Sequence, residues 1–279
     1  ALRRDEPMAR YTVARLGGPA DALVTIRSRE ELADAVALAV EAGLPWRVLG
    51  GGANVLIGDS GVRGLVIVNH AREMSLGEDG QVWAESGASF STLARKAASR
   101  GLSGIEWAAN VPGSVGGAVV NNAGAHGGDV ARVLVYAELL DAEQGRAVVQ
   151  WTPDAMRYDY RASALKGQHG RFVVLAAAFR LKAGHDPAAI NARMSELVAH
   201  RKQTQPPGAS LGSMFKNPPG DYAGRLIEAA GLKGTTVGGV QISPVHGNFF
   251  INVGGGTATD YRALITLAQE RVAAASGVR

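Results

Sequence analysis

Glycine falls in this chain in short strings, and that placement limits what the sequence can fold into. Of 279 residues, 37 are glycine, well above the usual share of about 7%. They cluster at 50–52, 113–117, 124–128, 238–239 and 254–256, beside apolar runs. Glycine at turns between regular elements brings backbone close to a ligand, often a phosphate. The first string, VLGGGANVLI over 48–57, reads as a strand, a glycine turn and further apolar residues. Successive glycines can aim their N–H groups into one concavity, with Asn54 adding a side-chain donor. It is not the G-x-G-x-x-G fingerprint, because no long helix follows and Asp59-Ser60-Gly61 turns the chain. Taken alone, it is equally a glycine hairpin. The second string, GIEWAANVPGSVGGA over 104–118 followed by NNAGAHG over 121–127, is more specific. A rigid proline, three glycines and a serine precede a small-residue helix, whose start offers N–H groups to a pyrophosphate. A tight contact between helices would explain Gly116 and Gly117, but not the whole string.

The rest of the chain reads as alternating strands and helices. A strand over 22–26 leads to a helix capped by Ser28, with Glu31 completing a capping box and Leu32, Val36, Leu38 and Val40 as its apolar face. Strands follow at 46–49, 65–68 and 82–85, then a helix from Ser89 to Arg100 with Leu93, Ala97 and Ala98 inward. Strands at 133–140, 147–151 and 172–181 come next, the last nearly all apolar and so central. Gly184 marks a boundary, and Asp186-Pro187 opens a helix carrying Ile190, Met194, Leu197 and Val198. A loop over 205–220, a helix over 222–230, a strand over 248–253 and a helix over 257–275 complete the reading.

Composition narrows the function. With no cysteine there are no disulfides, thiolate metal sites or cysteine nucleophiles, and no metal is expected. No run of eighteen apolar residues exists to span a membrane, and residues 1–12 lack the apolar core of a signal peptide, so a cytoplasmic setting is expected. The net charge of +4 is carried by scattered basic residues. A small anionic molecule therefore suits the chain better than nucleic acid or a membrane surface.

Taken in order, LGGGANVLIGDSGVRG, SGIEWAANVPGSVGGAVVNNAGAHG, YDYRAS, GSMFKNP, AGRLIEAAGLKG and GGVQISPVHGNFFIN resemble the UDP-N-acetylenolpyruvoylglucosamine reductase (MurB) family, in its shorter, type II branch. The resemblance runs from about Leu16 to Val272. It implies an α+β chain: a two-part FAD-binding domain of the vanillyl-alcohol-oxidase (PCMH) type over 16–183, with subdomains 16–68 and 69–183, and a C-terminal α+β substrate domain over 184–279. It implies non-covalent FAD, NADPH as co-substrate, a UDP-sugar enolpyruvyl substrate and a monomer. By the same resemblance Gly50, Gly51, Gly52, Ala53, Asn54 and Val55 hold the FAD pyrophosphate. Pro112, Gly113, Ser114, Val115, Gly116, Gly117, Asn122, Ala123 and Gly124 line the rest of the cofactor.

The reaction implied is hydride addition to an enol ether, with charge building on the substrate carboxylate and a proton then delivered to the α-carbon. Arg161, within the motif YR-x-S, is expected to clamp that carboxylate with its planar fork. Ser213, within GS-x-FKNP, is expected to donate the proton; outside that motif it would be a turn residue. Arg201, Lys216, Asn217 and His246 are expected to bind substrate. His246 is equally a satisfied, partly buried histidine on its residue type alone. The chain departs from the family at Thr204, where many relatives have lysine, and at His126, where tyrosine is usual. The family's glutamate after the last helix has no match in Ser276–Arg279, and Glu270 lies inside the helix; either a further segment follows Arg279, which is the expectation, or Arg161 and Ser213 act alone. Two other readings stand beside this one: a flavin oxidoreductase of the same fold with another substrate, and an inactive nucleotide-binding paralogue.

Overall fold

The computed structural model describes residues 1–279. Strands β1 (Arg3–Pro7) and β2 (Pro19–Ile26) precede helix α1 (Arg29–Glu41), which leads to β3 (Trp46–Leu49) and β4 (Val62–Asn69). Their sheet has the order β1-β2-β4-β3, with β3 and β4 parallel and Leu49 opposite Val68. The Ser28 hydroxyl starts α1 by accepting the Glu31 N–H at 3.1 Å. The Glu31 carboxylate, however, accepts from the Arg27 N–H at 2.7 Å, one residue short of the cap, so the expected capping box is only half made. Leu32, Val36 and Ala39 form the buried stripe of α1, at i, i+4 and i+7. Leu38 and Val40, expected inward, fall off that stripe and are 60% and 42% exposed.

Next come β5 (Met74–Leu76), β6 (Gln81–Glu85), α2 (Phe90–Ser99), α3 (Val115–Asn121), β7 (Gly124–Ala125), β8 (Gly128–Asp129), β9 (Leu134–Asp141), β10 (Val148–Trp151), α4 (Pro153–Met156) and β11 (Phe172–Arg180). The five-stranded sheet β10-β9-β11-β6-β5 places β11 at its centre, as its apolar run predicts. Phe90, Leu93 and Ala97 of α2 and Val115, Ala118 and Val119 of α3 share one core with Ala177 and Phe179 of β11.

The remaining elements are α5 (Pro187–Thr204), β12 (Ala209–Ser213), α6 (Ala223–Ala229), β13 (Thr236–Val237), β14 (Val240–Ile242), β15 (Phe249–Asn252) and α7 (Ala258–Ser276). The sheet order here is β12-β15-β14-β13. The stretch expected as loop over 205–220 thus contains β12, formed because Ala209 and Ser210 pair with Asn252 and Ile251. Long-range pairing decides this strand, which its glycine and proline neighbours hide.

The chain divides into two compact units, one of residues 1–4, 22–51 and 63–199, the other of 5–21, 52–62 and 200–279. In the second unit the early segments are tied in by specific bonds. Asp59 accepts the N–H groups of Ala258 and Thr259 at 2.8 and 2.9 Å, at the start of α7. Asn252 donates to the Ala14 carbonyl at 2.9 Å. Around α7, Tyr261, Leu264 and Ala268 pack with Phe250, Ile242 and Leu226.

Candidate active site

Because β3 and β4 run parallel, the loops after both strands leave the same edge of the sheet. Such carboxyl edges are where α/β folds gather ligands. In the first unit these loops bound a cavity of about 400 Å³, lined by Gly50 and Gly51 after β3, by Asn69 at the end of β4 and by His70 and Arg72 after it. The stretch after β6 adds Gly87 and Ser89, the first turn of α2 adds Thr92, and the proline-glycine string adds Gly113 and Ser114. The glycines stand where an added side chain would crowd the opposing atoms. A Cβ on Gly50 would lie 2.3 Å from the Ser114 Oγ, and one on Gly51 3.0 Å from the Gly113 Cα. A Cβ on Gly87 would meet the Asn69 Oδ1 at 2.5 Å.

The Gly50–Val55 string is divided between the two units. Gly50 and Gly51 line the cavity, whereas Gly52 onward belongs with the second unit, where the Gly52 carbonyl accepts the Val13 N–H at 3.0 Å. Gly52 has φ +62° and no room for a Cβ, which would sit 1.9 Å from the Tyr11 carbonyl oxygen. Asn54 is exposed, and Ala53 and Val55 are half-buried.

The start of α3 departs from expectation. The Val115 N–H donates to the Ala88 carbonyl and the Gly116 N–H to the Ser86 carbonyl, both at 2.8 Å. The Gly117 N–H donates to the Ser114 Oγ at 3.3 Å. The amides expected to be open to a pyrophosphate are therefore bonded within the protein. Gly116 is needed for closeness, since its Cβ would lie 2.9 Å from that of Ser86. Pro112, which is exposed, precedes the lining residue Gly113.

Around Arg161 the first unit builds a second feature. Arg161 sits in the left-handed region at φ +56°, as does Asn122 at φ +43°, a conformation few non-glycine residues adopt. The Arg161 guanidinium donates to the Asn122 carbonyl at 3.2 Å and to the Gly124 carbonyl. Asn122 donates in turn to the Asp159 carbonyl at 3.1 Å and accepts the Ala131 N–H at 3.0 Å. Ala123 joins this clasp by accepting the Val130 N–H at 3.0 Å. The Ser163 hydroxyl fixes the far end of the loop on the Val120 carbonyl at 2.6 Å. His126 is exposed at φ +50° on the turn between β7 and β8. The Tyr158 hydroxyl is buried without a partner, and burial, with Asp129 nearby, raises its pKa strongly.

The second unit carries the other motif residues. Ser213 ends β12 opposite Phe249 and is exposed. The segment after it is held by Asn248, which is 3% exposed. Asn248 accepts the Met214 N–H on its carbonyl at 2.9 Å and the Phe215 N–H on its side chain at 2.8 Å. It also donates to the Phe215 carbonyl at 2.9 Å. Sequence reading missed Asn248, whose one signal was its place between His246 and an apolar strand. The Asn217 Oδ1 accepts the Ala223 N–H at 3.1 Å, starting α6, and Lys216 beside it is exposed. The His246 Nδ1 accepts the Asn248 N–H at 3.1 Å, so its Nε2 carries the proton in the neutral ring. Burial lowers the pKa of His246 and that of Arg201, whose Nε donates to the Gln205 Oε1 at 2.6 Å. Thr204 turns its hydroxyl to the His200 carbonyl at 2.9 Å.

Residues 20–149 match a family model described as an FAD binding domain, and residues 203–279 one described as the C-terminal domain of UDP-N-acetylenolpyruvoylglucosamine reductase. The UDP-N-acetylenolpyruvoylglucosamine reductase of Rubrobacter xylanophilus is 49% identical over 280 residues, covering 100% of this chain and 92% of its own. The chain belongs to the UDP-N-acetylenolpyruvoylglucosamine reductase family. Likeness to a solved reductase of this family, from Thermus caldophilus, gives a TM-score of 0.83 at 37% identity, over 97% of this chain and 94% of that one. An alkyldihydroxyacetonephosphate synthase shares the fold alone, with a TM-score of 0.50 at 17% identity over 65% of this chain and 38% of that one. The fold is thus the two-part FAD-binding type joined to the C-terminal domain of the reductase family. These similarities lend no support to a same-fold oxidoreductase with another substrate or to an inactive paralogue. The cavity fits the phosphorylated end of FAD: glycine walls that a Cβ would fill, hydroxyls, one guanidinium and no carboxylate among its lining residues.

Proposed function

We propose that this chain reduces the enolpyruvyl ether of UDP-N-acetylglucosamine to UDP-N-acetylmuramate, using NADPH and non-covalently bound FAD, in the cytoplasm and as a monomer. The observation that carries the reading is the glycine-walled cavity at the ends of β3 and β4, in a chain similar to a reductase along its whole length. Residues 16–183 form the cofactor domain in this reading and 184–279 the substrate domain; the family matches at 20–149 and 203–279 support the order of the two, while the compact units divide at residue 199 and group residues 5–21 and 52–62 with the C-terminal part. No helix is long and apolar enough to cross a membrane.

Gly50, Gly51, Gly113 and Ser114 hold the phosphates of FAD from the cavity walls. Gly52, Ala53, Asn54 and Val55 are assigned to the cofactor with them by the motif they share with the family. Pro112, Val115, Gly116 and Gly117 hold Gly113 and Ser114 in place, and Asn122, Ala123 and Gly124 are assigned to the cofactor by the family motif. Bound FAD supplies the hydride. Arg161 takes the substrate carboxylate in its fork, where charge develops, and the carbonyls of Asn122 and Gly124 orient that fork. Ser213 delivers the proton to the α-carbon from a segment that Asn248 holds still. Arg201, Lys216 and Asn217 bind the substrate, and His246 presents its Nε2–H to it. Mass spectrometry of a reaction with NADPH and the enolpyruvyl UDP-sugar should find a product heavier by two hydrogens. An unchanged UDP-sugar from flavin-loaded protein would overturn the reading.

A further inference from the structure

The cavity must balance the two negative charges of a bound diphosphate, and its side chains differ sharply in their freedom to do so. Asn69 is committed, donating to the Ser86 Oγ at 2.8 Å and accepting the Ala71 N–H at 2.9 Å. The Ser114 Oγ accepts from Gly117 at 3.3 Å and the Ser89 Oγ from Thr92 at 3.3 Å, both as helix caps. His70 is kept in its neutral form by burial, helped by Arg72 and Arg27. The carboxylate at the end of β6 is turned to other amides: Glu85 accepts the Arg29 and Glu73 N–H groups at 2.9 and 2.7 Å. Among the lining residues this leaves one fixed charge, the guanidinium of Arg72, which is exposed and engaged in no ion pair or hydrogen bond of its own.

Resting on the FAD reading above, we infer that Arg72 is the counter-cation of the cofactor's diphosphate and sets how tightly this chain retains FAD. Backbone amides of the glycine walls supply direction and only partial charge. The guanidinium supplies a full charge and a planar fork of donors suited to phosphate oxygens. Arg72 contributes nothing to the protein's own bonding, so its freedom has a use only when an anion arrives.

The test titrates flavin-stripped full-length protein with FAD, following quenching of flavin fluorescence, at low and at high salt. Wild type should bind FAD with a Kd that rises with salt, as attraction between exposed charges is screened. Arg72→Ala should raise Kd at least ~10-fold at low salt and flatten the salt dependence, while Arg72→Lys restores part of both. The thermal midpoint of the stripped protein should match wild type in both variants, which separates lost binding from lost folding. Binding by Arg72→Ala with wild-type Kd and salt dependence would overturn the assignment and leave the FAD reading intact. A wild type that takes up no FAD would overturn both.

Discussion

Asn248 holds the backbone of Phe215 with both ends of its amide, accepting the Phe215 N–H at 2.8 Å and donating to the Phe215 carbonyl at 2.9 Å. A side chain that replaces a strand partner in this way fixes the stretch just after Ser213. Removing it leaves two backbone groups unpaired at a buried site. Asn248→Ala should therefore cost at least ~2 kcal/mol of stability, read by chemical denaturation. Asn248→Asp keeps the accepting half but sets a carboxylate oxygen against the Phe215 carbonyl, so it should not restore wild-type stability. Equal stability of wild type and Asn248→Ala would show that this clasp does not hold the segment.

The two proposed reaction residues should separate the half-reactions. With Ser213→Ala, NADPH should still bleach the flavin, and reoxidation by the enolpyruvyl substrate should slow by ~10²–10⁴. Arg161→Lys, which loses the planar fork, should slow reoxidation by ~10² or more, again with NADPH bleaching retained. Stopped-flow absorbance reads both steps. Wild-type reoxidation in either variant removes that residue from the chemistry.

Gly50→Ala places a methyl 2.3 Å from the Ser114 Oγ, which caps α3. Relief by moving Ser114 breaks that cap, so the variant should lose about 1–3 kcal/mol and purify with little flavin. Gly43→Ala is the control for flavin content: Gly43 has nothing within 4 Å of a Cβ and lies at the end of α1. It should retain flavin despite the strain of its positive φ. Full flavin content in Gly50→Ala would contradict the backbone-walled cavity.

Stability should depend on pH through His70 and His246, both lowered by burial from 6.5. A lowered folded pKa means that the unfolded chain takes up the proton first as pH falls. Their neutral-state contribution is therefore complete above pH ~7 and is lost from pH ~6.5 down toward the folded values. The thermal midpoint should drop between pH 7.5 and 5.5, and His246→Gln should reduce the drop. An identical drop in that variant would rule out His246 as one of its sources.

Much of this was legible in the sequence where local chemistry decides. Ser28 and Ser89 cap the helices they precede, and the unbroken apolar run of β11 marks the central strand. The glycines at 50–52 and Gly116 stand where other protein atoms come within about 3 Å of a Cβ position. What escaped depends on contacts distant in sequence. β12 exists only by pairing with β15, and the cavity is completed by Asn69, His70, Arg72, Gly87, Ser89 and Thr92, from segments with no glycine string of their own. The amides at the start of α3 read as open because the carbonyls of Ser86 and Ala88 that accept from them lie about thirty residues earlier in the chain.

The central claim is that a glycine-walled cavity holds FAD for the reduction of an enolpyruvyl UDP-sugar, and a two-stage anaerobic titration tests it most directly. Protein loaded with FAD should show the flavin absorbance bands, lose them with stoichiometric NADPH, and regain them on addition of the enolpyruvyl nucleotide but not of UDP-N-acetylglucosamine. A colourless protein that refuses added FAD, or a reduced one indifferent to the enolpyruvyl nucleotide, would contradict the account.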